Sequence, residues 1–450
     1  MTLSRRSFVA TAATLAAGAV GTRASAEGAP SGPTHSGAAN ATNAANAINA
    51  ANALGAVGAS DGAAAAVGPD AHPTPPAQDP LGVRPDFPVV REGHYLNSAY
   101  ITPVPMPVVA AGRAFLERKA TDPIPLGDML AHTDVVRGQF ARLVNASPDE
   151  IGFLFATSEG ENIVANALDL RAGDNVVIDA LHYETEFVLY GHLRDTRGIE
   201  LRIAPHRDGA VHLRDVEPLV DRRTKLLSVA WVSHQNGFRH DMRPLADLAH
   251  AHGALFYTDA IQAAGMIPLD VRAAGVDFLC CGTYKWVLGG FGVAPFFIRR
   301  ELLDRIRLDR YGALHVAKEL PDNRFELHAT AKRFDYATLP FAEVYQLGTG
   351  LEFVERVGVA RIERHTVALA HRLHAGLAAQ GYRLFTPEGT GSSIVTYYFE
   401  RDPADLKAAF AAAKVRVSVR DAKRQVRVSP ALFNTQDEVD HFLEVTKRLR

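Results

Sequence analysis

Residues 254–292 read ALFYTDAIQAAGMIPLDVRAAGVDFLCCGTYKWVLGGFG, and the fold follows from them. An apolar run ends in Asp259, and Gln262 lies three residues on. A second run, VDFLCC, then delivers Thr283, Tyr284 and Lys285 among glycines. Continuous apolar runs of this length are the pattern of parallel strands covered on both faces. In such sheets functional groups gather beyond the carboxyl ends of the strands, where an acid, an amide and a lysine stand here.

That trio suits pyridoxal 5′-phosphate (PLP). Its aldehyde needs a lysine amine for a Schiff base, and its ring nitrogen needs a carboxylate nearby. Lys285 and Asp259 are the candidates. An opposite charge in hydrogen-bonding reach favours the protonated ring, and burial at the end of an apolar strand lowers a lysine pKa and aids imine formation.

TDAIQAAG together with GTYKWVLGGFGVAPFFI resembles the class V aminotransferase family of fold-type I PLP enzymes, which includes cysteine desulfurases, kynureninases and isopenicillin N epimerases. The resemblance runs from Phe87 to Arg450. It implies an α/β fold of the fold-type I PLP-dependent transferase kind: a mostly parallel sheet flanked by helices, with a smaller C-terminal α+β domain. The arm and large PLP-binding domain are expected over 86–340, and the connecting helix and small domain over 341–450. Tyr284 resembles the kynureninase-like form of the motif, in which the residue before the lysine binds phosphate, with Thr283 and Gly282 beside it.

Apolar residues make up 47% and charged residues 22%, the proportions of a globular protein. The net charge of −2 gives no ground for a nucleic-acid or anionic-membrane partner. The two cysteines, Cys280 and Cys281, are chain neighbours on an apolar strand. They build no disulfide framework, and no Cys/His metal spacing accompanies them, so no metal is expected.

Residues 1–26 read as an export signal: Arg5-Arg6, an apolar run from Phe8 to Val20, and Ala24-Ser25-Ala26 as a cleavage site. The arginine pair makes it a twin-arginine signal, read by the Tat translocase, which carries folded proteins. The run is too short for a permanent membrane anchor. A periplasmic or secreted destination is expected. Residues 27–85, rich in Ala, Gly, Asn and Pro, lack the aromatic and branched residues that offset ordering entropy and read as a disordered linker.

Five further segments carry candidates. HYLNSAYITPVP, His94 to Pro105, resembles the family's entry segment, where Asn97 and Ser98 would line the substrate pocket; a packed arm is the structural alternative. In FATSEGENIVANAL a strand runs into a helix. Ser158 and Glu161 match an S-x-x-E capping box, and Thr157, Ser158 and Gly160 also stand where free N–H groups hold a phosphate best. The family often has threonine where Gly160 stands. After the strand Asn175 to Ala180, His182 is either a loop residue or, as the resemblance implies, the group that stacks on the pyridine face. His234, after the run LLSVAWV, is a turn residue or a neighbour of the cofactor's phenolic oxygen. In KRFDYATLPF the resemblance implies that Thr338 reaches the phosphate of a neighbouring subunit, hence a homodimer; a helix N-cap is the alternative.

QVRVSPALFN matches the family's closing motif, in which an arginine clamps the substrate carboxylate. Arg427 is the matching residue, and its planar fork meets a carboxylate bidentately. The resemblance implies an enzyme acting at Cα of a small amino-acid substrate. Transamination or epimerisation is the first reading, since SHQNGFRHD and GTYKW look most like the isopenicillin N epimerase branch. A C–S or C–C lyase is the second, and a non-catalytic exported binding protein the third. No cysteine follows Cys281, so desulfuration through a nucleophilic cysteine is not expected.

Overall fold

The computed structural model describes residues 79–450. The twin-arginine signal and the linker as far as residue 78 lie outside the described residues. At the linker's end the Asp79 carboxylate accepts from the amides of Val83 and Arg84 at 3.0 and 3.2 Å. Val83 is buried in the main core, and Arg84 reaches Glu438 at 3.0 Å. The folded chain therefore takes in residues that the sequence places before the boundary at 86: one buried valine and one side-chain-closed turn are enough to hold them.

The first strand, β1 (His94–Tyr95), lies apart from the central sheet, and α1 (Met106–Thr121) and α2 (Leu126–Val144) follow it. The sheet's strands are β2 (Ile151–Leu154), β3 (Asn175–Asp179), β4 (Glu200–Ala204), β5 (Thr224–Ala230), β6 (Leu255–Asp259), β7 (Phe278–Cys280) and β8 (Ala294–Ile298). Their spatial order is β2-β8-β7-β6-β5-β3-β4. Only β8 runs against the rest, antiparallel to both β2 and β7. Between them run α3 (Thr157–Ala167), α4 (Glu184–Arg197), α5 (Leu213–Val216), α6 (Met242–Ala251) and α7 (Val271–Ala274).

Strand alternation feeds two cores. Val177, Leu227, Val229, Phe256, Leu279 and Phe297 point into one, while their chain neighbours Val176, Ile178, Leu226, Tyr257, Phe278 and Phe296 point into the other. This is the period-2 geometry of a strand with helices on both sides. Each such side chain, fully buried, contributes ~1.5–3 kcal/mol.

A hairpin, β9 (Val316–Leu320) and β10 (Arg324–Leu327), precedes α8 (Phe341–Val357) and α9 (Val359–Ala379). The single long helix expected from Phe341 to Gln380 is these two, broken at Gly358, whose φ of 87° belongs to the region that glycine adopts without strain. The C-terminal layer contains β11 (Val395–Tyr398), α10 (Pro403–Ala412), β12 (Val415–Arg416), β13 (Ser418–Arg420), β14 (Gln425–Val428) and α11 (Gln436–Arg448). β11, β14 and β13 form an antiparallel sheet over a separate core that includes Leu373, Tyr397, Val426 and Phe442. The run VRVSV is divided between two strands: β12 pairs with β1, and β13 turns to β14.

Candidate active site

β2, β3, β5, β6 and β7 run in one direction, so their carboxyl ends share one sheet edge. At and just beyond these ends stand Thr157, His182, His234, Asp259 and Lys285. Topology alone thus gathers residues that are far apart in sequence.

Lys285 is 6% exposed. Burial draws its amine pKa down to about 8, with Asp259 opposing the shift. Asp259 is buried too, which raises its carboxyl to about 6 against the pull of the Ile261 amide and of Lys285. Its Oδ1 accepts from that amide at 2.8 Å, which leaves Oδ2 for a further partner. Thr283 shapes the lysine loop, its hydroxyl donating to the carbonyls of Gly290 and Val293 at 2.8 and 3.0 Å. Gln262 donates from Nε2 to the Ala99 carbonyl and accepts from Trp286 Nε1, both at 2.9 Å. The amide therefore ties the entry segment to the residue after Lys285.

His182 is wholly buried. Its Nδ1 accepts from the Tyr183 amide at 2.9 Å, so Nε2 carries the proton and faces Ser228 Oγ at 3.1 Å. Burial drops its pKa to about 3. Behind it lie Glu186, 3.4 Å from Nδ1, and Glu161, which accepts from Tyr190 Oη at 2.5 Å. Burial raises Glu161 to about 8 and Glu186 to about 10, each pushed further by nearby carboxylates. Glu161, His182 and Glu186 offer atoms within 4.8 Å of one another, and Oε2 of each glutamate has no hydrogen-bond partner among the described residues.

The expected Ser158–Glu161 capping box does not form. The N-cap of α3 is Ala156, and no side chain caps it. Glu161 turns inward to Tyr190, and Glu159 serves the helix entry instead, accepting from the Phe155 amide at 2.7 Å. Thr157 Oγ1 accepts from the Gly282 amide at 2.8 Å, locking the start of α3 to the lysine loop. Ser158 Oγ meets Thr185 Oγ1 at 3.0 Å. A Cβ at Gly160 would stand 2.7 Å from Cys280 Cβ and 2.8 Å from its sulfur, so the close crossing of α3 over β7 accounts for glycine there.

A cavity of about 880 Å³ opens beside Lys285, with Asn97, Tyr183, Tyr284, His234 and Arg427 on its wall. Tyr284 stacks on Phe291 with ring centroids 4.5 Å apart. Asn97 Oδ1 accepts from Ser418 Oγ at 2.7 Å. Ser98 is buried off the wall, and its hydroxyl has no partner among the described residues. Arg427 donates to the His234 carbonyl at 2.7 Å, while its buried Nε has no partner among the described residues. His234 Nε2 stands 3.4 Å from Glu184. Thr338 is exposed, and the N-cap of the helix that follows is Pro340, so the threonine caps nothing there.

The aminotransferase class-V family model matches residues 94–442. The chain belongs to this family. A probable cysteine desulfurase of Methanothermobacter thermautotrophicus is 31% identical over 303 residues, 66% of this chain and 75% of that protein. A cysteine desulfurase of Klebsiella pneumoniae is 30% identical over 397 residues, 82% and 97% of the two. The solved apo structure of cysteine desulfurase from Thermococcus onnurineus NA1 matches with a TM-score of 0.76 at 25% identity, covering 82% of this chain and 98% of that one.

As a class V enzyme the chain is PLP-dependent, and its residues fit the cofactor. A buried lysine amine of lowered pKa stands on the cavity wall, and a buried carboxylate with one oxygen uncommitted ends the neighbouring strand. Sequence reasoning missed Glu161, Glu186, Tyr190 and Ser228. The signal was present for three of them: Glu161 lies one turn from Val164 and Ala165 on a buried face of α3, where a glutamate stands out. Glu186 and Tyr190 are one helical turn apart on α4.

Proposed function

We propose that this class V enzyme is a lyase that cleaves a C–S bond in the side chain of an amino acid without using a thiol of its own. The observation that carries the reading is the pairing of relatives named cysteine desulfurases with two buried cysteines and no others. Burial raises both thiols above their ordinary range, so neither supplies the thiolate needed to accept sulfur. For an S-substituted cysteine the balanced outcome is substrate plus water giving a thiol, pyruvate and ammonia. Transamination or epimerisation, first on sequence alone, has no specific support from these relatives.

The roles of the chain's residues follow from position. Lys285 would hold the cofactor aldehyde and serve as the base at the substrate Cα. Asp259 would keep the ring nitrogen protonated. Arg427 would bind the α-carboxylate, and His182, buried behind the cavity, would support the cofactor side of the site. Bound PLP supplies the electron sink for the bond that breaks. Export by the twin-arginine route and a homodimer sharing Thr338 belong to the same proposal, tested by fractionating cells and by the mass of the protein in solution. The reaction is tested by incubating holoenzyme with S-substituted cysteines in deuterated buffer. Pyruvate, ammonia and thiol in equal amounts are expected; an intact, deuterated or racemised amino acid, or an oxo acid retaining the side chain, contradicts the lyase.

A further inference from the structure

The cavity beside Lys285 is unevenly charged. Five Lys or Arg side chains reach it, against two carboxylates, Glu184 and Asp421. Three of the five are spoken for. Lys285 is taken by the cofactor, Arg427 by the substrate α-carboxylate, and Lys407 by Asp421 at 2.7 Å.

Arg420 is not. It lies on β13, facing the cavity, and donates to the Gln235 and His234 carbonyls at 3.0 and 2.9 Å. Both acceptors are neutral, and no carboxylate pairs with it among the described residues. The His234 carbonyl is also the acceptor for Arg427, so one oxygen holds two guanidiniums side by side. Lys423 stands next to them, donating to the neutral Gln235 side chain at 3.4 Å, with a long contact to the carboxylate of Glu184, at 4.0 Å. Burial and the neighbouring Arg420 work against the charge on Arg427. Two adjacent, largely buried cations without anions are costly to hold, and a ligand that brings two anions removes the cost. A single α-carboxylate matches only one fork.

From this we infer that Arg420, with Lys423, forms a second anion subsite, and that the substrate is an amino acid whose side chain ends in an acidic group. This rests on the proposed PLP-dependent reading and specifies its substrate class. The acid tail lies on the cavity's C-terminal-domain wall while Arg427 keeps the α-carboxylate. The neighbouring Glu184, which meets His234 and Lys423, lowers the cavity's positive charge.

The test uses an acid and its neutral isostere, S-carboxymethyl-L-cysteine and S-carbamoylmethyl-L-cysteine. Affinity is read by calorimetry on holoenzyme inactivated with borohydride, and kcat/KM on active holoenzyme. The acid is expected to bind at least tenfold more tightly and to react at least tenfold faster. In Arg420→Gln that ratio falls to within threefold of unity, with the amide's own constants little changed. Lys423→Gln, at a more exposed position, lowers the ratio partially and serves if Arg420→Gln does not fold. Equal handling of acid and amide by a yellow, hydride-fixable wild type overturns the subsite alone. Equal loss of both ligands in Arg420→Gln assigns it to the α-carboxylate and overturns it too. Protein that takes no cofactor overturns the subsite together with the reading beneath it.

Discussion

Glu186 Oε2 lies 3.4 Å from Nδ1 of His182, with both side chains buried. That nitrogen accepts from the Tyr183 amide, so it has no proton to give, and Glu186 is held protonated by burial. Glu161, raised to about 8, stands in the same cluster. Both folded pKa values exceed the unfolded value of 4.5. Their stabilising contribution is therefore complete below about pH 4.5 and is lost as pH rises towards the folded values. Histidines of the unfolded chain, half charged at pH 6.5, oppose this slope until they discharge, and Lys285 enters only above about 8. Between pH 6.5 and 8 the two carboxyls together should cost the cofactor-free protein up to ~2.7 kcal/mol per pH unit in urea unfolding, less what the discharging histidines return. Glu161→Gln should lose stability ~1 kcal/mol per pH unit less steeply than the wild type over that range; a variant with the wild-type slope would mean that Glu161 is already ionised in the fold.

The crossing of α3 over β7 predicts a coupling. Gly160→Thr places new atoms against Cys280 and should destabilise by ~1–3 kcal/mol, as overpacking does. Shortening the neighbour in Cys280→Ala should recover part of that loss. A double-mutant cycle of unfolding free energies with no interaction term would show that the glycine is there for another reason.

Arg137 and Asp335 form a buried ion pair at 2.7 Å. The same carboxylate accepts from the Phe153 amide at 2.6 Å, tying the segment before α8 to the sheet edge. Asp335→Ala leaves the buried guanidinium with only the half-exposed Asp134 at 3.3 Å and the Ile151 carbonyl, and should cost ~2–3 kcal/mol in denaturant unfolding. A loss below ~1 kcal/mol would mean that the pair is already hydrated.

Arg427 carries the α-carboxylate in the proposed reaction. Arg427→Gln should lower kcat/KM by roughly 10²-fold, about 2.7 kcal/mol, mostly through KM, with cofactor absorbance unchanged. A change within threefold would remove it from substrate binding.

Much of this was legible in the chain. Apolar runs ending in Asp259 and in the Thr283-Tyr284-Lys285 turn announced parallel strands and the edge on which the site lies, because a strand buried on both faces leaves only its ends for chemistry. The position of Arg427 followed from its motif. What was hidden depended on which way a side chain turned. Ser158 and Glu161 have capping-box spacing, yet Tyr190 on α4, far along the sequence, draws Glu161 inward. Gly358 broke the long helix because a φ of 87° was needed at one residue. Nothing in the sequence singled out Arg420, because only folding sets its guanidinium on the carbonyl that Arg427 also uses.

The central claim is that the buried amine of Lys285 holds the PLP aldehyde. Borohydride reduction of the purified protein, followed by peptide mass spectrometry, tests it most directly. The account predicts loss of the yellow band, a mass increase of about 231 Da confined to the peptide containing Lys285, and neither change in Lys285→Ala. A label on another lysine, or protein loaded with PLP that reduction leaves unlabelled, would contradict it.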